Sequence, residues 1–255
     1  MIERKFDRIP SRDPRNADYP VSLLWTRPYG CGRLEQAPDI TTKKWDDYAY
    51  LDQGSDGACV GFGVSGELAA EPESITGVTY DSAMQIYHDA QRIDEWAGED
   101  YEGTSVLAGA KVAVNRGYYT NYLWAGSELD MATAVSNYGP VVIGINWHWN
   151  MMQPDVSGFL NLGGGIAGGH CVVVIGIDVD GDYYTIRNSW GTSWGDNGEA
   201  KITRENMAKL IADEGDVMKP VRVHLSPEPP PAPKVHCGFW CKVNCWFKTG
   251  KWGSC

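Results

Sequence analysis

Apolar and polar positions follow two rhythms along this 255-residue chain, helical in its first half and strand-like in its second. Residues 58–70 predict a helix that Ser55 or Asp56 can cap and that Pro72 ends. Residues 80–92 predict a second helix, with Ala83, Ile86, Tyr87 and Ala90 on one face. Residues 104–116 predict a third, N-capped by Thr104 and followed by Gly117. Ser127-Glu128-Leu129-Asp130 opens a fourth in capping-box style, and Gly139-Pro140 closes it. The period then shortens. Residues 141–147, 170–178, 182–188 and 199–203 are rich in β-branched and aromatic side chains, and Asp180-Gly181 is a hairpin signal between two of these runs. A short helix is expected near 205–212. Helices first and strands afterwards predict an α+β domain of two layers, with a cleft between a helical half and a sheet half.

The rest of the chain keeps neither rhythm. Residues 1–44 read as an arm, a candidate short pro-segment, ahead of a domain at 45–225. Residues 226–234 are a stiff proline-rich linker, and 235–255 form a Cys/Trp-rich tail. A net charge of −11 argues against nucleic acid as a partner, because the phosphate term would be repulsive. The charge is unevenly placed. Residues 234–255 carry four lysines and no acid, leaving 18 basic against 33 acidic side chains elsewhere, so the tail is a candidate for binding an anionic polymer or surface. No apolar run reaches the ~20 residues of a membrane span. The charged opening residues do not read as a signal peptide, which leads us to expect a cytoplasmic location, or a virion-associated one if the chain is phage-encoded. Of seven cysteines, Cys31, Cys59 and Cys171 are scattered, whereas Cys237, Cys241, Cys245 and Cys255 crowd the tail, where two disulfides or a zinc ion would fit.

One run asks for more than a core. Asn188-Ser189-Trp190-Gly191-Thr192-Ser193-Trp194-Gly195 joins a polar residue at a strand end to two tryptophans four apart and to glycines at tight turns. His170 stands eighteen residues upstream, and Gln53 lies six before Cys59. Together they supply a thiol nucleophile, an imidazole base, an amide to orient the base and an amide for an oxyanion. Taken singly, each has a plainer reading, as a buried thiol, a core histidine, a turn residue or a packed indole. Other chemistry fits less well. Asp178, Asp180 and Asp182 alternate like calcium ligands, but Gly181 and Ser189 fall where such a loop needs other residues. The glycines at 163–169 lack the lysine of a phosphate loop. No cofactor is expected, and no metal at these residues.

In this combination and order, the motifs resemble those of the papain-like (C1) cysteine peptidases over about residues 45–204. The resemblance rests on Gln53 through Cys59, Gly169-His170-Cys171 opening an apolar strand, and Asn188-Ser189-Trp190-Gly191, with supporting landmarks at 80–87 and 138–143. It implies a two-lobed fold with the active site in the cleft between a helical lobe and an antiparallel-sheet lobe. It implies a cysteine endopeptidase acting on peptide or protein substrates, with Cys59 as nucleophile, His170 as base, Asn188 orienting His170, and Gln53 at the oxyanion. Trp190 would cover the His170–Asn188 bond, Gly103 would offer a backbone edge to substrate, and Gly169 would line the specificity pocket. A catalytically silent scaffold and an acyltransferase using the same pair are the competing readings. Asp56 stands where familiar members have a cysteine, Val60 where they have a tryptophan and Cys171 where they have an alanine. The missing disulfide cysteine implies a protein made in a reducing compartment, and the arm is similar to the openings of bacterial and phage-encoded members, which implies that type.

Overall fold

The helix that carries Cys59 has no polar side chain besides Ser65 and Glu67, and a helix so apolar is stable only when protein surrounds it. The computed structural model describes residues 4–11, 13–25, 37–98 and 101–222; Cys31, the proline-rich linker and the cysteine-rich tail lie outside the described residues. In it, α1 (Cys59–Ala69) has all eleven residues buried. Its glycines permit that. A Cβ at Gly61 would strike the backbone of the next helix, and one at Gly63 would lie 2.7 Å from the Cys171 sulfur. Each glycine costs up to about 1 kcal/mol of helix propensity, offset here by close packing on both sides.

The expected helices form with small shifts of their ends. The N-cap of α1 is Ala58, without a side-chain bond. Neither Ser55 nor Asp56 caps it; the Asp56 carboxylate instead accepts the Tyr80 hydroxyl. Helix α2 (Tyr80–Gln91) starts from a Thr79/Ser82 capping box. Helix α3 (Val106–Asn115) is capped by Ser105 rather than Thr104. Thr104 is diverted, its hydroxyl bonding Asp94 at 2.7 Å and its backbone pairing with the arm. Helix α4 (Glu128–Tyr138) begins at Ser127 as expected.

A seven-stranded antiparallel sheet follows. Its strands are β1 (Lys43–Lys44), β2 (Asn121–Ala125), β3 (Val141–His148), β4 (Ile166–Asp178), β5 (Tyr183–Arg187), β6 (Glu199–Thr203) and β7 (Asp216–Val221), with α5 (Arg204–Ala212) before the last. The order is β2-β7-β3-β4-β5-β6, with β1 beside β4. Strands β1, β2 and β7 were not anticipated. Lys219 and Pro220 disguise β7, since a buried lysine and a residue without an N–H both contradict a central strand. Lys219 is tolerated because its ammonium donates to the Pro140 carbonyl at 3.1 Å.

Strand alternation divides the core in two. Val142, Cys171 and Met218 face α1 and α3, whereas Val141, Ile143, Val172 and Val174 pack with α4. The α+β fold therefore has a helical lobe (α1–α3) against a sheet lobe, with the start of α1 and the start of β4 meeting in the cleft between them. The arm is not free of structure. It makes 3₁₀ turns at Pro14–Asp18 and Val21–Leu24, the first capped by Asp13, and Val21 is fully buried in the sheet-side core.

The far end of α1 is fastened by a buried ion pair. Arg222 lies 2.6 Å from the Glu67 carboxylate, which also accepts the Tyr119 hydroxyl at 2.7 Å. Removing one partner strands the other charge. Glu67→Ala should therefore lower the unfolding free energy by about 3 kcal/mol, read from the urea midpoint at constant slope. No loss would mean that the Arg222 bonds to backbone carbonyls suffice.

Candidate active site

β4 and β5 carry the two polar groups of the sheet side to one end. Val173 pairs with Arg187, so the residue after Arg187 comes level with the start of β4. There His170 and Asn188 meet, with His170 Nε2 and Asn188 Oδ1 2.8 Å apart. The same oxygen accepts the Ser189 backbone N–H at 2.8 Å, which fixes the carboxamide with its oxygen toward the ring. His170 Nε2–H is thereby the donor, leaving Nδ1 as the basic nitrogen. Nδ1 is buried and has no hydrogen-bond partner among the described residues.

Three indole and phenyl rings enclose the imidazole. Trp147 stands edge-on at 4.9 Å, Trp190 lies tilted at 4.9 Å, and Phe6 of the arm completes the enclosure at 5.9 Å. His170 is fully buried, and burial holds its pKa down to about 4. Trp190 thus lies against the imidazole that Asn188 holds. Trp147 was missed. Its one signal is its place in a β-rich run, since β3 pairs Ile145 with His170 and Trp147 with Gly168.

Cys59 approaches from the helical lobe. Its sulfur accepts the backbone N–H of Cys171, the residue after His170, and that of Asp7 from the arm. These bonds favour the thiolate, but burial outweighs them and pushes the thiol up to about 11. Gln53 is fully buried beneath the same turn. Its Oε1 accepts the Ser189 hydroxyl at 2.6 Å and its Nε2 donates to the Asp56 carbonyl at 2.8 Å. An amide nitrogen has two hydrogens, so one is spoken for by Asp56. The structure thus brings all four residues into one locality spanning both lobes.

Residues 4–9 lie along this cleft. Arg4 bonds Asp52 at 2.5 Å and the Gly54 and Trp190 carbonyls, and Lys5 pairs with Glu102. Gly169 accepts the Arg8 N–H at 2.8 Å, and the Thr104 N–H donates to Asp7 at 3.2 Å. The Ile9 N–H returns to the Thr104 carbonyl at 3.0 Å. Both bridges are parallel. The pairing edge on the helical lobe is thus Thr104, whereas the Gly103 N–H is used by Tyr87 Oη at 2.9 Å. What Gly103 contributes is room, because a Cβ there would collide with the Asp7 carbonyl, and one at Gly169 with the Arg8 carbonyl. The arm contacts could not be read from sequence, since residues 4–9 carry no motif.

A family model described as "Papain family cysteine protease" matches residues 71–218, which holds His170 and Asn188 but begins after Cys59. Digestive cysteine proteinase 2 of Homarus americanus is 26% identical over 80% of this chain and 72% of its own length. Cathepsin L1 of Drosophila melanogaster is 29% identical over 61% of this chain, which spans half the length of that relative. Among solved structures, xylellain, a cysteine protease from Xylella fastidiosa, superposes with a TM-score of 0.61 at 16% identity, covering 88% of this chain and 99% of that one. Procathepsin B S9 from Trypanosoma congolense gives 0.56 at 13% identity, covering 84% and 86%.

Proposed function

The chain belongs to the papain family of cysteine proteases, and with it to the cysteine endopeptidases among the hydrolases; we propose that it cuts peptide bonds with Cys59 as nucleophile and His170 as its base. The observation that carries this is one junction. The Cys59 sulfur rests on the backbone of the residue next to His170, whose Nδ1 is buried without a partner while Nε2 is held by Asn188. A base left unpaired on one nitrogen and oriented through the other, one residue from the backbone on which the thiol rests, supports the exchange of a proton between them.

The sulfur, its proton passed to His170 Nδ1, adds to the carbonyl carbon of the substrate. The oxyanion is held by the Cys59 backbone N–H and the second Gln53 Nε2 hydrogen, each donor being worth about 3 kcal/mol in comparable sites. As the C–N bond breaks, His170 gives its proton to the leaving amine. Water, deprotonated by His170, then releases the acyl group from sulfur. Asn188 steadies the imidazole without adding a charge that would draw its proton.

The arm keeps this machinery latent. It covers the sulfur with the Asp7 N–H and the imidazole with Phe6, so a substrate and residues 6–8 compete for the same space. The chain is of the bacterial or phage type, a reading supported by the xylellain likeness and by Asp56 in place of a disulfide cysteine. Among the described residues no helix is long and apolar enough to cross a membrane.

Prolonged incubation with an epoxide-type thiol inhibitor should place one adduct on Cys59, located by peptide mass mapping, with parallel loss of peptide turnover. An intact fold with no adduct and no cleavage across a peptide library would overturn the proposal in favour of a silent scaffold.

A further inference from the structure

The arm residue next to Asp7 enters a pocket of unusual make-up. Arg8 has a fully buried side chain whose Nη2 lies 2.6 Å from Asp216 Oδ2 and also donates to the Glu214 carbonyl. Two neighbouring strands build this receptacle. Gly144 of β3 stands opposite Asp216 of β7, so one strand supplies room and the other a carboxylate. A Cβ at Gly144 would fall 2.5 Å from Arg8 Nε and 2.8 Å from a Val106 methyl, so any side chain there would close the pocket. Glu95 adds a second negative charge close enough for Asp216 to feel. Arg8 Nε and Nη1 find no partner, so the fit is carried by the charge pair and the walls.

The direction of the arm tells which substrate residue would take this place. In a substrate, the attacked carbonyl belongs to the residue on the N-terminal side of the bond, and the nitrogen that His170 protonates lies on the C-terminal side. The leaving side is therefore the side of His170, where Phe6 sits. The arm runs from His170 toward the pocket, so a substrate must run from the pocket toward His170. Asp7 lies over Cys59, where the attacked residue belongs. The pocket then receives the residue just before it.

Resting on the peptidase reading above, we propose that Asp216 makes this enzyme select peptides with a basic side chain, arginine foremost, immediately before the residue whose carbonyl is attacked. A charge-assisted bond in a desolvated pocket discriminates against a neutral side chain of similar reach by about ten- to a hundredfold.

The test uses the full-length chain carrying Phe6→Ala and Arg8→Ala, so that the arm no longer fills the pocket. Two fluorogenic peptides, identical but for arginine or leucine at that position, are compared by kcat/KM. Arginine should exceed leucine by about ten- to a hundredfold, and adding Asp216→Asn should bring the ratio near one. Preference for leucine in the parent, or a ratio unmoved by Asp216→Asn, would overturn the proposal; the parent ratio alone does so even if the Asp216 variant fails to fold. Failure of the parent to cleave any peptide would instead overturn the peptidase reading, and this inference with it.

Discussion

Cys59→Ala is expected to reduce kcat/KM for any cleaved peptide by at least about 10⁴-fold while leaving the fold intact. The side chain is small and buried against Cys171 and Asp7, so alanine leaves only a sulfur-sized void. What disappears is the one atom that can form a covalent bond to the substrate. His170→Ala should cost a similar factor, and the double variant should be no worse than either alone, because base and nucleophile act as a unit. Initial rates on one peptide, with circular dichroism as the control for folding, check all three. If Cys59→Ala kept more than about one part in a hundred of the activity, the nucleophile would have to be sought elsewhere.

The second large effect comes from unseating the arm. In the structure described, burial pushes the Cys59 thiol up to about 11 and the His170 imidazole down to about 4. At pH 7 the thiol lies below its pKa and stays protonated, while the imidazole lies above its own and stays neutral. No ion pair forms. Phe6 and Asp7 supply part of that burial, so their departure lets water reach both groups and returns each toward its ordinary value of ~8.5 and ~6.5. The full chain with Phe6→Ala and Arg8→Ala should therefore alkylate at Cys59 about a hundredfold faster at pH 7, since a thiol pKa lower by about two units gives that much more thiolate. The wild-type rate should climb about tenfold per pH unit up to about pH 11, whereas the variant should level off well below it. Equal rates and identical pH profiles would show that the arm does not govern the thiol.

Much of this architecture was legible in the residue pattern because the helices carry their own caps and the central strands their own alternation. Helix α4 was bounded correctly by Ser127 and Gly139, and β6 by its five alternating residues. The errors have physical causes. Thr104 satisfies every local rule for an N-cap, yet pairing with a segment nearly a hundred residues away claims it first. Strand β7 was hidden because the sheet tolerates Lys219 through a single distant carbonyl, a fact no local window contains. The residues that meet across the cleft could be picked out because they sit in short motifs at strand and helix ends. Trp147, the seat of Arg8 and the path of residues 4–9 were not, since each depends on which strands become neighbours.

The polarity of residues 6–8 has a last consequence. A strand laid backwards over Cys59 offers its carbonyls from the wrong side, so the enzyme does not spend its own plug. Exposure of the sulfur then follows the lifting of the arm from its seat, not the cutting of it there.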